Sequence, residues 1–338
     1  MNRRYHGLWG LVLLSCIFLP LLESRAAEIR LGVPVPEKSR ECQLLRDQAE
    51  RIKTQTQGRI DILLRFMKED QMMAGEMVKN GELDGCLAIE PDFPFLGLGQ
   101  QSRVYAIPFL FSGSDDVEAL RSTLDPLLLE SMDNDDVKAV DFVDLGFMYF
   151  CSANSLATSD EWKNQLFWLP AADLLVTRLL KATELRFSNI AFKRVLNSLE
   201  NGEIQGVLSP LPLVIMKRWH TRLKFVYRSP VVYSYGIWAI DRRLIDRFDT
   251  AEREAFSTAL RELGKTLEKA GQQRYESSVK VLDRYGIVFI EPTSALSARW
   301  QEWLQGWLPE VQQELNLSVP VMRRLTEYIE SRKETEHE

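Results

Sequence analysis

Two segments that lie far apart in the chain repeat the same local pattern. Residues 77–89 (MVKNGELDGCLAI) and residues 196–208 (LNSLENGEIQGVL) each predict the end of a helix, a glycine-containing turn and a short apolar strand. Because strands and helices alternate around each copy, the pattern predicts a mainly parallel sheet with helices covering its faces. The repetition further predicts two similar α/β lobes.

The segments around these copies extend the alternation. Residues 28–33 predict a first strand, Ser39 is positioned to cap a following helix, and residues 60–66 predict a second strand. The chain therefore opens with a β-α-β unit. Residues 137–150 predict a further strand or pair of strands, and residues 231–240 predict a strand that returns toward the first lobe.

A long helix is predicted late in the chain. Residues 249–252 (DTAE) form a capping box, which marks a helix N-terminus, and apolar side chains recur at helical spacing until about residue 285. About 34 residues at about 1.5 Å per residue give a length of about 50 Å, which is more than the width of one lobe. We therefore expect this helix to hold both lobes together.

Residues 161–170 (EWKNQLFWLP) have the pattern of a ligand-binding position. They predict a short polar helical turn, a buried strand at residues 167–169 and a helix opened by Pro170. Because ligands in open α/β sheets bind at the carboxyl ends of strands, we expect the Trp168 side chain to contact a bound small molecule. A shift of one residue would place Phe167 or Leu169 there instead.

The two ends of the chain are predicted to lie outside the folded lobes. An arginine pair precedes an apolar run at residues 8–22, and small residues fit cleavage before Ala27, so residues 1–26 indicate a secretory signal peptide. A permanent membrane anchor and lipidation at Cys16 are the alternatives. Residues 331–338 are predicted to be a disordered tail. The net charge of −6 argues against nucleic acid as a partner.

The cysteines and the absence of catalytic motifs limit the chemistry. Cys42, Cys86 and Cys151 remain after signal removal, and they allow two interpretations: a bridge between Cys42 and Cys86, or three small buried thiols. Their spacing matches no metal motif, and the sequence has no glycine-rich phosphate loop or nucleophile elbow. We therefore expect no metal, no other cofactor and no enzymatic activity.

Five short motifs follow one another in a characteristic order. They are NGELDG at residues 80–85, IPFLF at residues 107–111, LGF at residues 145–147, EWK at residues 161–163 and NGEIQG at residues 201–206. This order resembles the periplasmic solute-binding proteins of TRAP transporters, the dicarboxylate-binding-protein family. The likeness extends over about residues 28–290.

The resemblance implies an α/β fold of the two-lobed, type II-like periplasmic solute-binding class, with crossing strands and a long helix spanning both lobes. Lobe I would comprise residues 27–150 with about residues 240–265. Lobe II would comprise residues 151–239 with about residues 266–330. The resemblance also implies a small-molecule ligand between the lobes and a partner, the subunits of a TRAP-type membrane permease.

The ligand site that the resemblance implies is altered in this chain. The family typically holds a carboxylate with two arginines and an asparagine, and the matching positions here are Trp168, Met148 and Ser209. A carboxylate buried without a cationic partner meets a desolvation penalty of several kcal/mol, so we expect a larger or more apolar ligand. Other side chains expected in the cleft are Phe147, Tyr233, Tyr235 and Phe95.

These observations leave three functions of different classes. The first is a periplasmic solute-binding protein that delivers its ligand to a TRAP-type permease. The second is a carrier or sensor module without transport, working with a partner lipoprotein, such as the helical-repeat lipoproteins thought to serve a subgroup of the family. The third is an enzyme that uses the cleft, for which no acid, base and nucleophile converge in the sequence.

Overall fold

The computed structural model describes residues 28–67, 74–98, 100–156, 158–170 and 174–335, so the predicted signal peptide lies outside the described residues. The β-strands are β1 Glu28–Val33, β2 Asp61–Phe66, β3 Gly85–Ala88, β4 Val137–Ser152, β5 Leu166–Trp168, β6 Arg186–Ser188, β7 Gly206–Ser209, β8 Phe225–Tyr227, β9 Val232–Asp241 and β10 Val288–Ile290. The α-helices are α1 Arg40–Gln55, α2 Ala74–Lys79, α3 Ser114–Ser131, α4 Ser159–Lys163, α5 Leu174–Lys181, α6 Val195–Glu200, α7 Leu211–Met216, α8 Arg242–Ile245, α9 Thr250–Arg284, α10 Ser294–Glu314 and α11 Val319–Thr335. Short 3₁₀ turns occupy Glu90–Asp92, Gln100–Ala106, Phe192–Arg194 and Trp219–Thr221.

The strands form a sheet whose two parts share the long strand β4. The first part has the order β2-β1-β3-β9-β4, and the second has the order β4-β7-β5-β6, with β8 pairing both β4 and β10. Strands β1, β2 and β3 are parallel to one another, as are β5, β6 and β7. The predicted two-lobed α/β fold is confirmed, while the residue boundaries given above for the lobes stay a prediction.

Strands β4 and β9 cross between the two lobes. They pair in antiparallel fashion along the whole of β9, and β4 then continues into the second lobe beside β7. Their register shifts between Asp144 and Gly146, where Gly146 has a φ of +91°. Such a bulge bends and twists a strand. It lies where β4 passes from the first lobe to the second.

Helix α9 spans both lobes, as the capping box predicted. The Asp249 side chain accepts a hydrogen bond from the backbone N–H of Glu252, and the Glu252 carboxylate accepts one from the backbone N–H of Asp249. The helix has 35 residues. Phe256 and Leu260 pack in the core of the first lobe, and Leu282 packs in the core of the second.

The repeated turn follows the prediction in both lobes. Gly81 after α2 and Gly202 after α6 have φ of +77° and +70°, a conformation that costs an L-residue about 1–2 kcal/mol. The next backbone N–H in each copy then reaches back to the helix: Glu82 donates to the carbonyl of Met77 at 2.9 Å, and the second copy has the equivalent bond. This Schellman arrangement ends both helices and feeds the chain into β3 and β7.

Helix α10 covers the second lobe with tryptophans. The ring of Trp300 lies 6.0 Å from that of Trp162 and 6.5 Å from that of Phe150. On its other side Trp300 stacks on Phe109 at 4.9 Å, with the two rings 13° from parallel. Phe109 belongs to the IPFLF motif, so this motif connects the first lobe to the C-terminal helices.

The C-terminal residues 331–335 belong to helix α11, so the prediction of a disordered tail from residue 331 is wrong for them. Helix α11 packs against α3. Tyr328 donates a hydrogen bond to the carbonyl oxygen of Leu110 at 3.2 Å, and Arg332 donates to the same oxygen. These bonds join positions more than two hundred residues apart in the chain, which local sequence patterns do not reveal. Residues 336–338 lie outside the described residues.

The three described cysteines are buried free thiols. Cys42 packs with Leu87 on one face of the first-lobe sheet, whereas Cys86, the neighbour of Leu87 in β3, faces the opposite side. The predicted bridge between Cys42 and Cys86 is therefore wrong, because the sheet separates the two thiols. The alternative prediction of three small buried thiols is confirmed.

Candidate functional site

A cavity of about 260 Å³ lies where the two lobes meet. Ile89 and Glu90 bound it just after β3, Leu169 and Pro170 bound it just after β5, and Leu208 bounds it from β7. The crossing strands β4 and β9 supply the remaining wall. These are the carboxyl ends of parallel strands from both lobes, the position where open α/β sheets bind ligands.

The described walls of this cavity are mainly apolar. Phe93 and Ala106 contribute from the first lobe, Val176 contributes from α5, and Val232 contributes from β9. Among the described residues that line the cavity, Glu90 carries the only formal charge, and no lysine or arginine is present. The cavity can therefore exclude water from an apolar molecule but offers no described cation to a buried acid.

Three of the predicted site residues line this cavity together, namely Met148, Tyr233 and Tyr235. The rings of Tyr233 and Tyr235 lie 6.2 Å apart and are nearly parallel, and Phe93 stacks on Tyr235 at 5.8 Å. Burial raises the pKa of the Tyr233 hydroxyl, which also accepts a hydrogen bond from Arg121 at 3.4 Å. The tyrosine is therefore neutral, and its ring is held in the cavity wall.

Trp168 does not line this cavity. Its indole N–H donates to the carbonyl oxygen of Ile190 at 2.9 Å, and its ring contacts Trp219 edge to face at 5.4 Å. Successive side chains of a strand point to opposite faces, so Trp168 points into the second-lobe core while Leu169 points to the cavity. The sequence allowed this alternative, in which a shift of one residue places Leu169 rather than Trp168 at the site.

The remaining three predicted residues also lie elsewhere. Phe147 lines a separate cavity of about 530 Å³, together with Tyr275 of α9. Ser209 is fully buried, and its hydroxyl donates to the carbonyl oxygen of Pro210 at 3.1 Å. Phe95 is 40% exposed and lines a surface pocket beside α2. None of these three is among the residues that line the cavity between the lobes.

Glu90 and Phe93 line the cavity and were not predicted from sequence. Both follow β3 directly, within the loop that is rich in proline and phenylalanine. Ligands bind at the carboxyl ends of parallel strands, which is the reason for expecting a site before Pro170. The same reasoning for β3, the equivalent strand of the first lobe, indicates Glu90.

Replacement of Trp168 with phenylalanine tests its structural role, with Trp300→Phe as the matched control. Both changes keep a buried ring, but the indole N–H of Trp168 has the Ile190 carbonyl as partner, whereas that of Trp300 is buried without one among the described residues. We expect Trp168→Phe to lower the free energy of unfolding by about 1 kcal/mol more than the control, because a half-buried carbonyl loses its donor. Urea unfolding measures both, and equal losses would contradict the assignment.

The described residues contain no group of three or more histidine, cysteine, aspartate or glutamate side chains arranged to hold a metal ion. Likewise, no helix within the described ranges is long and apolar enough to cross a membrane.

Several solved structures share this fold. A TRAP periplasmic solute-binding protein from Ochrobactrum anthropi, with its C-terminus in the ligand-binding pocket, aligns with a TM-score of 0.79 and 14% identity over 92% of this chain and 97% of its own. One from Haemophilus influenzae with bound L-gulonate has a TM-score of 0.71 and 17% identity over 89% and 99%. One from Sulfurospirillum deleyianum with bound succinate has a TM-score of 0.68 and 15% identity over 88% and 98%. At such identities the likeness shows the fold alone.

Sequence comparison identifies the family. A curated solute-binding protein from Verminephrobacter eiseniae (strain EF01-2) is 22% identical over 163 residues, which are 48% of this chain and 49% of the relative. The chain thus matches about half the length of that relative. The model of a whole family, described as bacterial extracellular solute-binding protein, family 7, matches residues 32–314. Since that match extends over most of the chain, the protein belongs to the family 7 bacterial extracellular solute-binding proteins.

Proposed function

We propose that the protein is a periplasmic solute-binding protein that captures a small, relatively apolar organic ligand between its lobes and delivers it to a TRAP-type membrane permease. Membership of a solute-binding family supports the transport role, and the structural relatives that are TRAP periplasmic proteins support the location and the partner. A signal peptide at residues 1–26 would direct the export. The same comparisons favour transport over a carrier or sensor that works with a lipoprotein.

The proposal that the ligand is relatively apolar rests on the composition of the cavity wall. The relatives from Haemophilus influenzae and Sulfurospirillum deleyianum hold L-gulonate and succinate, which are acids. An acid that entered this cavity would lose its contact with water. Among the described lining residues it would meet no cation, and it would lie beside the Glu90 carboxylate. The desolvation of a carboxylate costs several kcal/mol when no partner offsets it. An apolar ligand instead gains from burial against Met148 and Leu169.

We infer that Met148, Tyr233 and Tyr235 contact the ligand, with Leu169 in the position first expected of Trp168. Aromatic rings contribute a large apolar area in a defined geometry, and methionine adapts its shape to the ligand. The volume of about 260 Å³ lies just below the usual range for ligand pockets, roughly 300–1,000 Å³. The ligand is therefore a small molecule.

Mass spectrometry of the small molecules that copurify with the protein tests this function. The protein is purified from the periplasm of its native host and denatured, and the released compounds are compared with those from a Met148→Trp variant, whose larger side chain fills the cavity. A largely apolar organic compound without a free carboxylate, released only by the unaltered protein, is expected. Release of a short organic acid instead would contradict the proposed ligand polarity.

A variant with an added arginine should bind acids. Met148→Arg combined with Glu90→Gln gives the cavity a cation and removes the carboxylate that would neutralise it. We expect the affinity for phenylacetate, measured by isothermal titration calorimetry, to rise at least about tenfold, since charged hydrogen bonds to a buried carboxylate contribute about 1.5–3 kcal/mol.

Met216→Arg with Glu76→Gln is the matched control for this gain. Both control residues are exposed and lie outside the cavity, so the net change in charge is the same while the cavity is unaltered. An equal gain in the control would show that the added charge acts over the whole surface rather than in the cavity.

A further inference from the structure

The carboxylate of Glu90 gives the cavity a negative wall. Glu90 follows β3 directly and is half-buried. Asp92 lies in the same turn, is 3% exposed, and accepts hydrogen bonds from the backbone N–H groups of Gly75 and Ile89. Asp92 therefore has its own partners in the fold, and it is not among the described residues that line the cavity. The Glu90 carboxylate favours a positive charge in the ligand.

Arg121 contacts this wall at the Tyr233 hydroxyl but adds no charge to the described lining of the cavity. Arg121 hydrogen-bonds the Tyr233 hydroxyl from behind, and it is not one of the residues that line the cavity. Its guanidinium also donates to the Asp125 carboxylate and to the carbonyl oxygen of Phe142, at 3.0 Å each. A ligand in the cavity thus meets the phenol ring of Tyr233 rather than the arginine behind it.

Aromatic rings add a second, independent attraction for a cation. Phe93, Tyr233 and Tyr235 all line the cavity, with neighbouring ring centroids 5.8 and 6.2 Å apart. The face of an aromatic ring carries negative charge density and attracts an ammonium group, by about 0.5–2 kcal/mol depending on how well water is excluded. A carboxylate beside aromatic faces is a combination that suits an ammonium ion and repels an acid.

We propose, on the basis of the proposed solute-binding function, that the ligand carries an ammonium group on an apolar body, with Glu90 as its ion-pair partner and the aromatic rings around the rest. The Glu90 carboxylate has several acceptor positions, so it can take an ammonium donor in addition to bonds within the protein. An alkyl ammonium group keeps its proton near pH 7, as the side chain of lysine does. The same wall rejects ligands whose polar group is a free carboxylate.

Calorimetric titration with three matched probes tests this assignment. The probes are 2-phenylethylamine, 2-phenylethanol and phenylacetate, which share a phenyl ring and carry a positive, neutral or negative end. The full mature protein is dialysed before titration at pH 7. We expect the amine to bind most tightly and the acid least tightly. Glu90→Gln should weaken the amine at least about tenfold and leave the alcohol nearly unchanged, because only the amine loses an ion pair. Glu76→Gln, an exposed glutamate outside the cavity, should change none of the three.

The other outcomes overturn the assignment in distinguishable ways. Tighter binding of phenylacetate than of the amine would overturn the ammonium ligand and leave the solute-binding function in place. An amine affinity that Glu90→Gln does not alter would remove Glu90 from the site. Failure of all three probes to bind, in protein from which mass spectrometry also releases no compound, would count against the ammonium ligand and the proposed function together.

Discussion

Replacement of Arg121 with methionine should lower the free energy of unfolding by about 3–5 kcal/mol at pH 7, the effect of removing one partner from a buried ion pair. The Arg121 side chain is 15% exposed and forms an ion pair with Asp125 at 3.0 Å. The Tyr105 hydroxyl donates to the same Asp125 carboxylate at 2.6 Å. Methionine keeps most of the apolar length of arginine, so the expected loss comes from the charge and its hydrogen bonds. Urea unfolding measures it.

Arg121 also holds other groups at the junction of the lobes. Its guanidinium lies 3.9 Å from Glu268 of α9, and Glu268 accepts a hydrogen bond from the backbone N–H of Asp144 at the bulge of β4. It further bonds the hydroxyl of Tyr233, whose ring lines the proposed ligand cavity. Loss of Arg121 should therefore loosen the cavity wall as well as the core.

The pH dependence of this loss identifies its origin. Burial raises the pKa of Asp125, Asp141 and Asp144, and Arg121 acts in the opposite direction on all three. Without Arg121 these pKa values rise further. A carboxyl group with a raised folded-state pKa favours folding below its unfolded pKa of about 4, and that contribution is lost as the pH rises through the folded pKa. The deficit of Arg121→Met should thus grow as the pH rises above the unfolded carboxyl pKa of about 4.

Arg261→Met is the matched control, since Arg261 is exposed on α9 and lines the same surface as Arg121. We expect it to change the free energy of unfolding by no more than about 0.5 kcal/mol at any pH. A deficit for Arg121→Met that is the same at every pH would contradict the role of the buried carboxylates.

The elements that sequence predicted well are those whose signals are local. The capping box at Asp249 and the glycine turns at Gly81 and Gly202 depend only on residues within one or two turns of chain. Such signals carry their own physics: a side chain that caps an N–H group, or a glycine that takes a positive φ. The two lobes and the long helix followed from them.

The candidate site depended on contacts that are distant in sequence. Trp168, the last residue of β5, and Leu169, which follows it, point to opposite faces. Which face meets the cavity is decided by the pairing of β5 with β7, some forty residues later. Arg121 was not predicted at all, because an arginine on an amphipathic helix has the pattern of a solvated residue. Its burial depends on Tyr233, which is more than one hundred residues away.

Replacement of Gly206 with alanine should lower the free energy of unfolding by about 3 kcal/mol, at the upper end of the cost of overpacking a core. A Cβ atom at Gly206 would lie 2.4 Å from Cε1 of Phe167 and 2.7 Å from the backbone oxygen of Cys151, and a backbone atom in a central strand cannot move aside. Gly85→Ala, at the same position of the first lobe, should behave alike, because its Cβ would lie 2.5 Å from Ile240. The last glycine of each repeated turn is thus fixed by close packing between strands.

Gly271→Ala is the control: nothing lies within 4 Å of its Cβ, and alanine in helix α9 should raise stability by up to about 1 kcal/mol. Urea unfolding measures all three variants. If Gly206→Ala and Gly85→Ala lower the free energy of unfolding no more than Gly271→Ala does, the strands can separate to admit a methyl group.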